Sequence, residues 1–431
     1  MNKEQQFVQT IQNQLMQWRR WFHQHPELGF MEYYTTYTIG KELEALGFTL
    51  HIGQGAIASS SRYGVPAAHL LQQQEEKAAS LGVESDWMNL MKGGHTGLVA
   101  TWDTGKEGEH KAFRFDIDAL PIHETESEAH LPYSEGFISS NPGVMHACGH
   151  DGHITIGLGL AHYIAAHHSE LTGSFTFLFQ PAEEGGRGAK AMVDNGWLTD
   201  VDSFYTGHLG ITPMNIGTIA AGVEGFLAST KLNVHFKGES SHAGMKPEDG
   251  RNALLAAATA STQLYTIPRH SEGASRVNVG KLEAGNGRNI ISDTGYLELE
   301  TRGVTGTIND YMLQEAKRII HASASMYNVE ATIEFVGESE GIVCDEDMLA
   351  SIPPEEDSYI NQILPSAKVS GSEDASFMIN EVQAHGGKAT YMLFGTALPF
   401  NHHHPSFDFE EDALSVALET YIHLLQGGTT T

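Results

Sequence analysis

Cysteine is scarce in this chain of 431 residues, which contains only Cys148 and Cys344. Two cysteines are too few for a disulfide scaffold, so the fold must depend on a hydrophobic core. Hydrophobic residues make up 40% of the sequence, an ordinary globular share that can supply this core. The simplest compartment is a reducing cytoplasm, where both thiols stay available as ligands.

Basic residues are also few. Lys and Arg total 25 against 54 Asp and Glu, which gives a formal net charge of −29. Such a chain lacks the electrostatic footprint for binding nucleic acid or an anionic membrane surface. No apolar run approaches the roughly 18 residues of a transmembrane helix, and the N-terminus lacks the basic-then-apolar order of a signal peptide. We therefore expect a cytoplasmic protein that acts on a small molecule.

The pattern of strands and helices changes twice along the chain. Up to residue 221, and again from residue 337, apolar strands alternate with amphipathic helices, which is typical of a largely parallel sheet. Residues 222–336 instead predict about four strands and two helices. A single core rarely grows past roughly 250–300 residues. The sequence therefore predicts a discontinuous catalytic domain, 1–221 and 337–431, and an inserted domain, 222–336.

Apolar spacing locates the individual elements. The predicted helices cover residues 4–22, 34–47, 68–92, 152–168, 187–195, 250–266, 307–326, 345–364, 373–382 and 410–425. The predicted strands cover residues 97–102, 111–117, 175–179, 203–208, 229–237, 275–282, 290–302, 331–336 and 389–394. Residues 53–95, which are rich in Ser, Gln, Ala and Glu, have the composition of an insertion.

The run 146–153, His-Ala-Cys-Gly-His-Asp-Gly-His, holds the densest set of chemically active side chains. Its glycines let the backbone turn tightly and bring the thiol of Cys148 close to the imidazoles. Thiolate and imidazole ligands suit a borderline-soft divalent metal such as zinc or manganese. A competing interpretation makes Cys148 a nucleophile with a neighbouring His as its base. The acidic pair that follows would then have no role.

That pair, Glu183 and Glu184, comes directly after the predicted strand 175–179. Open α/β sheets bind ligands at the carboxyl ends of their strands. Because adjacent side chains project in different directions, one carboxylate can hold a metal while the other takes a proton from water. Metal hydrolases require this division. On its own, however, the pair is more typical of a solvated acidic loop.

Further candidate ligands follow other predicted strands. His208 ends one strand, the His run 402–404 precedes the last helix, and Asp116 and Asp118 share one strand face. Each has an ordinary explanation by itself: a structural histidine, an exposed polar run, or a surface-facing strand edge. Together, Cys, His and Glu groups in several loops after strands are typical of an α/β metal site, in which the two Asp would orient imidazoles.

The inserted domain contributes a second group of polar candidates. His242 lies between a predicted strand and a helix. It is either a turn histidine or an imidazole that reaches a substrate carbonyl oxygen or carboxylate. Arg288, Asn289 and Arg302 are further candidates for substrate binding, because Arg suits bidentate binding of a carboxylate. Either Arg could equally be a solvated surface residue.

Several runs together resemble the M20 metallopeptidases, in the branch of N-acyl amino acid amidohydrolases and hippurate-type hydrolases. They span nearly the full length of the chain. The matching runs are Trp21-Phe22-His23-Gln24-His25-Pro26-Glu27, residues 114–121, 146–153, 180–184 and 242–244, Ser372-Glu373-Asp374 and Phe407-Asp408-Phe409.

This resemblance implies a phosphorylase/hydrolase-like mixed-sheet α/β catalytic domain with an inserted α+β, ferredoxin-like dimerisation domain. It also implies two divalent ions, manganese or zinc. The implied ligands are Cys148, His150, Glu184, His208 and one His of the run 402–404. Members of the branch usually carry His-x-Pro there, which selects His403. Glu183 would be the general base, and His242 would reach the active site of a partner subunit.

The implied activity is metal-dependent hydrolysis of the amide bond of N-acyl or N-aroyl amino acids. The first substrate candidate is p-aminobenzoyl-glutamate, with Arg288, Asn289 and Arg302 as candidate contacts. A general hippurate-type amidohydrolase is the alternative. The implied assembly is a homodimer or a heteromer with a paralogous subunit, and the chain could be inactive without that partner.

Overall fold

The computed structural model describes residues 2–345, 347–350, 352 and 358–427. The helices are α1 (Lys3–Gln24), α2 (Tyr33–Leu46), α3 (Ala68–Ser80), α4 (Ser85–Met91), α5 (Leu131–Ser134), α6 (His150–His167), α7 (Ala189–Val193), α8 (Ala253–Leu264), α9 (Gly306–Met326), α10 (Ala375–Ala384) and α11 (Asp412–Gln426). None of these is both long enough and apolar enough to cross a lipid bilayer.

The strands lie between these helices. They are β1 (Thr49–Ile52), β2 (Leu98–Asp103), β3 (His110–Asp116), β4 (Ser174–Gln180), β5 (Ser203–Leu209), β6 (Thr218–Ala220), β7 (Val223–Glu224), β8 (Ala228–Lys237), β9 (Ser241–His242), β10 (Ser275–Ala284), β11 (Ile290–Ile291), β12 (Thr294–Gly303), β13 (Glu330–Ser339), β14 (Gln362–Leu364), β15 (Ala367–Lys368) and β16 (Lys388–Phe394).

A large sheet forms the centre of the molecule, with the strand order β1-β2-β4-β3-β5-β16-β6-β14. Its four middle strands, β4, β3, β5 and β16, run parallel. Antiparallel pairs flank them, β2 with β4 on one side and β6 with β16 on the other. The sheet is therefore mixed, as the M20 resemblance implies, and less parallel than the alternation of elements alone predicts.

Helices cover both faces of this sheet, so its central strands are buried on both sides. Along β3, Phe113 and Phe115 face the core that α1, α6 and α11 share, whereas Ala112 faces the core of α7 and α10. The alternation follows from the two-residue period of a strand.

Helix α6 approaches the sheet closely because it is rich in glycine. A Cβ atom added at Gly157 would lie 2.7 Å from the Phe115 ring, so a larger side chain would push the helix outward. The helix begins at His150, after Gly149 in the left-handed conformation with φ 86°. This close packing brings the N-terminus of α6 to the edge of the sheet where the parallel strands end.

A second, four-stranded antiparallel sheet has the order β10-β12-β8-β13. Helices α8 and α9 pack against one of its faces, where Leu297 and Leu299 of β12 are buried. The chain order is strand, helix, two strands, helix, strand, which is the ferredoxin-like arrangement. The mixed α/β fold class is confirmed. The domain boundaries at residues 221 and 336 stay a prediction.

Some predicted elements differ from the observed ones. The predicted helix 68–92 is two helices, because Gly82 adopts φ 99° between α3 and α4. The predicted strand 290–302 is divided into β11 and β12. The predicted helix 345–364 falls partly outside the described residues. It is wrong at 362–364, which form β14, because parallel pairing with β6 overrides local propensity.

Candidate metal centre

The ends of the four parallel strands bring the chemically active residues together. Asp116 ends β3, and Asp118 follows it. The pair 183–184 follows β4, His208 lies near the end of β5, and the run 402–404 lies in the loop between β16 and α11. Parallel strands end at one edge of a sheet, so these loops face one another.

The turn before α6 places a thiol and an imidazole side by side. Cys148 precedes Gly149, and His150 is the first helical residue. The Cys148 Sγ atom lies 3.5 Å from His208 Nε2. One ligand atom from each of Cys148, His150 and His208 lies within 4.8 Å of the others. Three residues from two separate elements thus form a compact thiol and imidazole cluster.

Hydrogen bonds to backbone carbonyls set the orientation of both imidazoles. His150 Nδ1 donates to the carbonyl oxygen of Asp118 over 2.8 Å, and His208 Nδ1 donates to that of Leu209 over 2.9 Å. A carbonyl oxygen can only accept, so each Nδ1 carries a proton and each Nε2 points into the cluster. Such bonds are the usual support for a metal-binding histidine.

Asp118 also fixes the acidic pair. Its two carboxylate oxygens accept the backbone N–H groups of Glu183 and Glu184, each over 3.0 Å. The preceding Ala182 adopts a left-handed φ of 52°, and its N–H donates to Glu32. The backbone is therefore held in one conformation, and the two carboxylates point to different places.

Glu184 and Glu183 approach different histidines. Glu184 Oε1 lies 3.2 Å from His403 Nε2, and Glu183 Oε2 lies 3.9 Å from His150 Nε2. Cys148, Glu184 and His403 form a second compact group of potential ligands. Cys148 belongs to both groups, so the two sets of potential ligands share one thiol.

The three adjacent histidines have different surroundings. His403 has a left-handed φ of 66°, and its N–H donates to the carbonyl of Ala147 over 2.8 Å, which turns its ring toward Glu184. His402 Nε2 donates to the carbonyl of Leu209 over 3.1 Å. His404 is exposed and stacks on Phe400, with 4.5 Å between ring centroids. Only His403 of these three lies in a compact group with Cys148 and Glu184.

The donor atoms fit divalent cations. Among the described residues, His150 Nε2 and Glu184 Oε1 are buried without a hydrogen-bond partner, a costly arrangement unless a cation binds there. Burial opposes the charged form of His150, but Asp116 and Asp118 outweigh it and raise its pKa to about 10. This acidic environment favours positive charge at Nε2, which a proton or a metal ion can supply.

Burial governs the other ionisable groups of the site. It raises the pKa of Glu183 well above its usual range, and the nearby Glu373 and Glu184 carboxylates raise it further. It also raises the pKa of the Cys148 thiol, together with Glu184 and Glu183. Burial lowers the pKa of His208, which keeps that imidazole neutral. A neutral imidazole is the form that binds metal.

Behind the ligands lies a layer of buried charge. Asp116 Oδ1 accepts from His153 Nδ1 over 2.5 Å, and His153 Nε2 accepts the N–H of Leu209 over 3.0 Å, which fixes the end of β5. Burial disfavours the charged form of Asp116, but His150, His153 and Arg114 outweigh it and hold its pKa well below the usual range. Asp116 therefore stays ionised and supports two imidazoles.

Arg114 is the cationic partner of the carboxylates in this layer. Its guanidinium donates to Asp116 over 2.8 Å, to Glu373 over 3.0 Å and to Gln180 over 2.7 Å. Glu373 also accepts from Tyr391 Oη over 2.6 Å. Buried carboxylates require such paired and hydrogen-bonded partners. The network holds Glu373 at the wall of the cavity in front of the thiol and imidazole cluster.

That cavity has a volume of about 460 Å³ and lies between the two sheets. The large sheet contributes the cluster, and Ile211 and Phe226 add an apolar wall. Lys231 of β8 and Arg302 of β12 reach it from the smaller sheet. Burial lowers the pKa of Lys231, although the Glu183 carboxylate counteracts this effect. The cavity is thus lined by carboxylates, imidazoles and a thiol, and by the basic side chains of Lys231 and Arg302.

A family model for peptidase family M20/M25/M40 matches residues 112–427, which include all the potential ligands. The chain belongs to the M20 family. It is 44% identical to the A subunit of p-aminobenzoyl-glutamate hydrolase from Escherichia coli K12, over 97% of each chain. It is 43% identical to indole-3-acetyl-aspartic acid hydrolase of Enterobacter agglomerans, over 96% of each.

A solved structure supports the same relationship. Aminobenzoyl-glutamate utilization protein from Klebsiella pneumoniae superimposes with a TM-score of 0.83 and 36% identity, over 99% of this chain and 100% of that one. As an M20 member with this donor set, the chain is a metal-dependent amidohydrolase whose cofactors are divalent cations.

The fold brings together most, but not all, of the predicted site residues. Those around the cavity and its cluster are Cys148, His150, Glu183, Glu184, His208, Arg302 and His403. His242 and Asn289 meet in the small ribbon of β9 and β11, where Ala243 N–H donates to the Asn289 carbonyl over 3.0 Å. These two residues and Arg288 are exposed, and none of the three lines the cavity of its own chain.

From the sequence alone, no function is assigned to three residues that the structure places at or behind the site. Glu373 lies in the run Ser-Glu-Asp that matches the M20 family, so this acidic pair before a helix was an available signal. His153 belongs to the run 146–153, but the sequence does not distinguish it from the potential ligands. Its hydrogen bond to Asp116 in the structure does so. Lys231 carries no local signal, because its place depends on how β8 packs over the cavity.

A second charged network supports the ligand loop from behind. Asp151, which follows His150, accepts from His23 Nδ1 over 2.8 Å and lies 3.1 Å from Arg19 Nε. The other nitrogen, His23 Nε2, donates to Glu124 over 2.8 Å. Burial opposes protonation of His23, but the hydrogen bonds to Asp151 and Glu124 outweigh it and raise its pKa to about 9. His23 is therefore a buried imidazolium.

The raised pKa of His23 predicts a pH-dependent stability. Because the folded-state pKa of about 9 exceeds the unfolded value, the protonated ring stabilises the fold by about 3 kcal/mol at pH 6.5 and below. This contribution disappears as the pH rises to 9.5. Urea denaturation should show that His23→Gln loses most stability at pH 6.5 and that its deficit against the native chain shrinks toward pH 9.5.

The matched control is His69→Gln, because His69 is exposed on α3. Its stability should follow that of the native chain at every pH. A constant deficit of His23→Gln from pH 6.5 to 9.5 would contradict a buried imidazolium at this position.

Proposed function

We propose that this protein hydrolyses the amide bond between an aromatic acyl group and an acidic amino acid, with p-aminobenzoyl-glutamate as the first candidate. The names of two relatives above 40% identity support this class: one acts on p-aminobenzoyl-glutamate and the other on indole-3-acetyl-aspartic acid. Both compounds join an aromatic acyl group to a dicarboxylic amino acid. The observation that carries the proposal is the carboxylate of Glu183 beside the potential metal ligands, in a cavity that the basic side chains of Lys231 and Arg302 also line.

We propose that two divalent cations, manganese or zinc, are held by the ligand set that follows. It comprises Cys148, His150, Glu184, His208 and His403. When bound, these ions supply Lewis acidity at the amide carbonyl and at the attacking water. Thiolate and imidazole favour zinc, whereas the carboxylate also suits manganese. A reducing cytoplasm, our proposed location, keeps the Cys148 thiol available.

Glu183 is the general base of the proposed mechanism. Its raised pKa makes the carboxylate a good acceptor for a proton from the attacking water. The same proton then passes to the nitrogen of the leaving amino acid. Glu184 is held apart by the Asp118 hydrogen bonds, so the base and the ligand do not exchange roles.

His242 supplies an oxyanion donor from a partner subunit in this proposal. Its exposed ribbon also presents Asn289 and Arg288, and none of these lines the cavity of the same chain. Residues that cannot serve their own site can serve a neighbouring one. We therefore propose a homodimer, formed through the inserted domain 222–336, in which His242, Arg288 and Asn289 complete the site of the partner.

The first experiment assays the purified chain alone, stripped of metal and then supplied with manganese or zinc. The substrates are p-aminobenzoyl-glutamate, indole-3-acetyl-aspartate and a panel of N-acetyl amino acids. Metal-restored cleavage of the two aromatic compounds is expected. Cleavage of the N-acetyl panel alone would favour a general amidohydrolase. Stoichiometric metal binding without any cleavage would favour a chain that needs a second kind of subunit.

Glu183→Gln should lower kcat by about 10²- to 10⁴-fold, because it removes the group that transfers the proton. The metal content should not change, since Glu183 is not a ligand in the proposal. Steady-state kinetics and elemental analysis measure the two effects. Glu107→Gln, at an exposed loop position, is the control. Loss of metal together with activity would instead make Glu183 a ligand.

His403→Ala should weaken metal binding by at least about 10- to 100-fold, the loss that even supporting residues produce. His404→Ala is the matched control, because that ring stacks on Phe400 and is exposed. Isothermal titration calorimetry with manganese and with zinc measures the affinity. Loss of affinity in His402→Ala but not in His403→Ala would assign the ligand to His402.

The trans arrangement of His242 predicts complementation. Glu183→Gln and His242→Ala homodimers should each be inactive, but subunit exchange gives hybrids with one intact site. About a quarter of all sites are then complete if exchange is random, so the mixture should recover about a quarter of native activity. No recovery despite demonstrated exchange would place His242 in the site of its own chain or outside catalysis.

A further inference from the structure

The smaller sheet presents a charged face to the metal cavity. Lys231 on β8 lies directly opposite Glu300 on β12 and Gly337 on β13 in the strand register. Arg302, two residues beyond Glu300, shares this face because side chains alternate along a strand. Leu232 and Leu299 point to the other face, toward α8 and α9. Lys231 and Arg302 are therefore held by backbone pairing at the wall of the cavity.

The side chains of Arg302 and Lys231 differ in their binding partners. Arg302 donates to both carboxylate oxygens of Glu300, over 2.9 and 3.0 Å, and to Ser372 Oγ over 3.4 Å. Its position is fixed, and its charge is balanced within its own strand. Lys231 is half-buried, yet within the described part of the chain its ammonium has neither a hydrogen bond nor an ion pair. Glu300 lies opposite in register but binds Arg302 instead.

Because the Lys231 ammonium group lies at the cavity wall without a hydrogen bond or ion pair in the described part of the chain, it can pair with an anionic group of a molecule that enters the cavity. The whole protein carries a net charge of −29, and Glu183, Glu184 and Glu373 line the same cavity. A local positive charge on the cavity wall therefore favours the binding of an anionic substrate. Lys231 provides that charge without first breaking an existing pair.

We propose that Lys231 binds the side-chain carboxylate of the acidic amino acid in the substrate. This inference rests on the proposed function. The α-carboxylate lies at a constant distance from the scissile amide in every N-acyl amino acid, so a fixed guanidinium such as that of Arg302 suits it. The side-chain carboxylate of aspartate and that of glutamate differ in reach by one methylene group. A lysine on a flexible stem can follow this difference.

Lys231 could otherwise act only as a counter-charge for Glu183, whose carboxylate interacts with it. That role would affect every substrate equally and would move the pH profile of kcat. Binding of the side-chain carboxylate affects only substrates that possess one. A comparison of p-aminobenzoyl-glutamate with p-aminobenzoyl-glutamine separates the two roles, because the compounds differ only in the charge of that side chain.

The test measures kcat/KM for both compounds in the native chain and in Lys231→Met, which keeps the apolar stem. The native chain should prefer the glutamate compound. Lys231→Met should lose about 10- to 100-fold on it, the worth of a charge-assisted hydrogen bond, and change less than about threefold on the glutamine compound. Lys231→Arg should restore part of the preference. Lys237→Met, at the exposed end of the same strand, is the control.

Calorimetric binding of both compounds to metal-loaded Glu183→Gln, with and without Lys231→Met, provides a readout without turnover. A native preference for the glutamate compound that disappears with Lys231 supports the inference even if nothing is cleaved, in which case the proposed function alone fails. Equal losses on both compounds, a shifted pH profile of kcat, or an unchanged preference in Lys231→Met would overturn it. So would the absence of any binding preference in the native background.

Discussion

The site depends above all on the hydrogen bonds of Asp118, which joins two loops that are distant in sequence. Its carboxylate accepts the N–H groups of Glu183 and Glu184, and its backbone carbonyl accepts the proton of His150 Nδ1. The acidic pair and the first imidazole are thereby held against each other. Asp118 is almost completely buried, so water does not compete for these bonds. Catalytic positioning of this kind requires such support behind the reacting groups.

Buried charge around this centre is balanced in layers. Arg114 neutralises Asp116 and Glu373 on one side, and Arg19 lies against Asp151 on the other. Within the donor set, His150 Nε2 is buried without a hydrogen-bond partner, and Glu184 Oε1 faces the imidazole of His403. Carboxylates inside and beside this donor set supply negative charge that a divalent cation can compensate.

The two sheets contribute different groups to the cavity. The mixed sheet supplies the cluster and Glu183 from the ends of parallel strands, whereas the antiparallel sheet supplies cations to the opposite wall of the cavity. The contact between them is close: Glu338 N–H donates to the carbonyl of Gly186, next to the acidic pair. The potential metal ligands and the basic side chains of the cavity therefore come from different parts of one chain.

Sequence alone determined the types of chemistry and most of the elements, because periodicity and local motifs record which faces are buried and which loops follow strands. It predicted the mixed α/β fold through its M20 resemblance and the convergence of Cys148 and the acidic pair. Tertiary structure decided what depends on long-range pairing: β14 pairs with β6 where a helix was expected, and His153 supports Asp116 rather than the ligand cluster. Lys231 is the clearest case, since no neighbour in sequence marks it. The register of β8 with β12 places it at the cavity wall opposite Glu300, whose carboxylate binds Arg302 of the same strand instead.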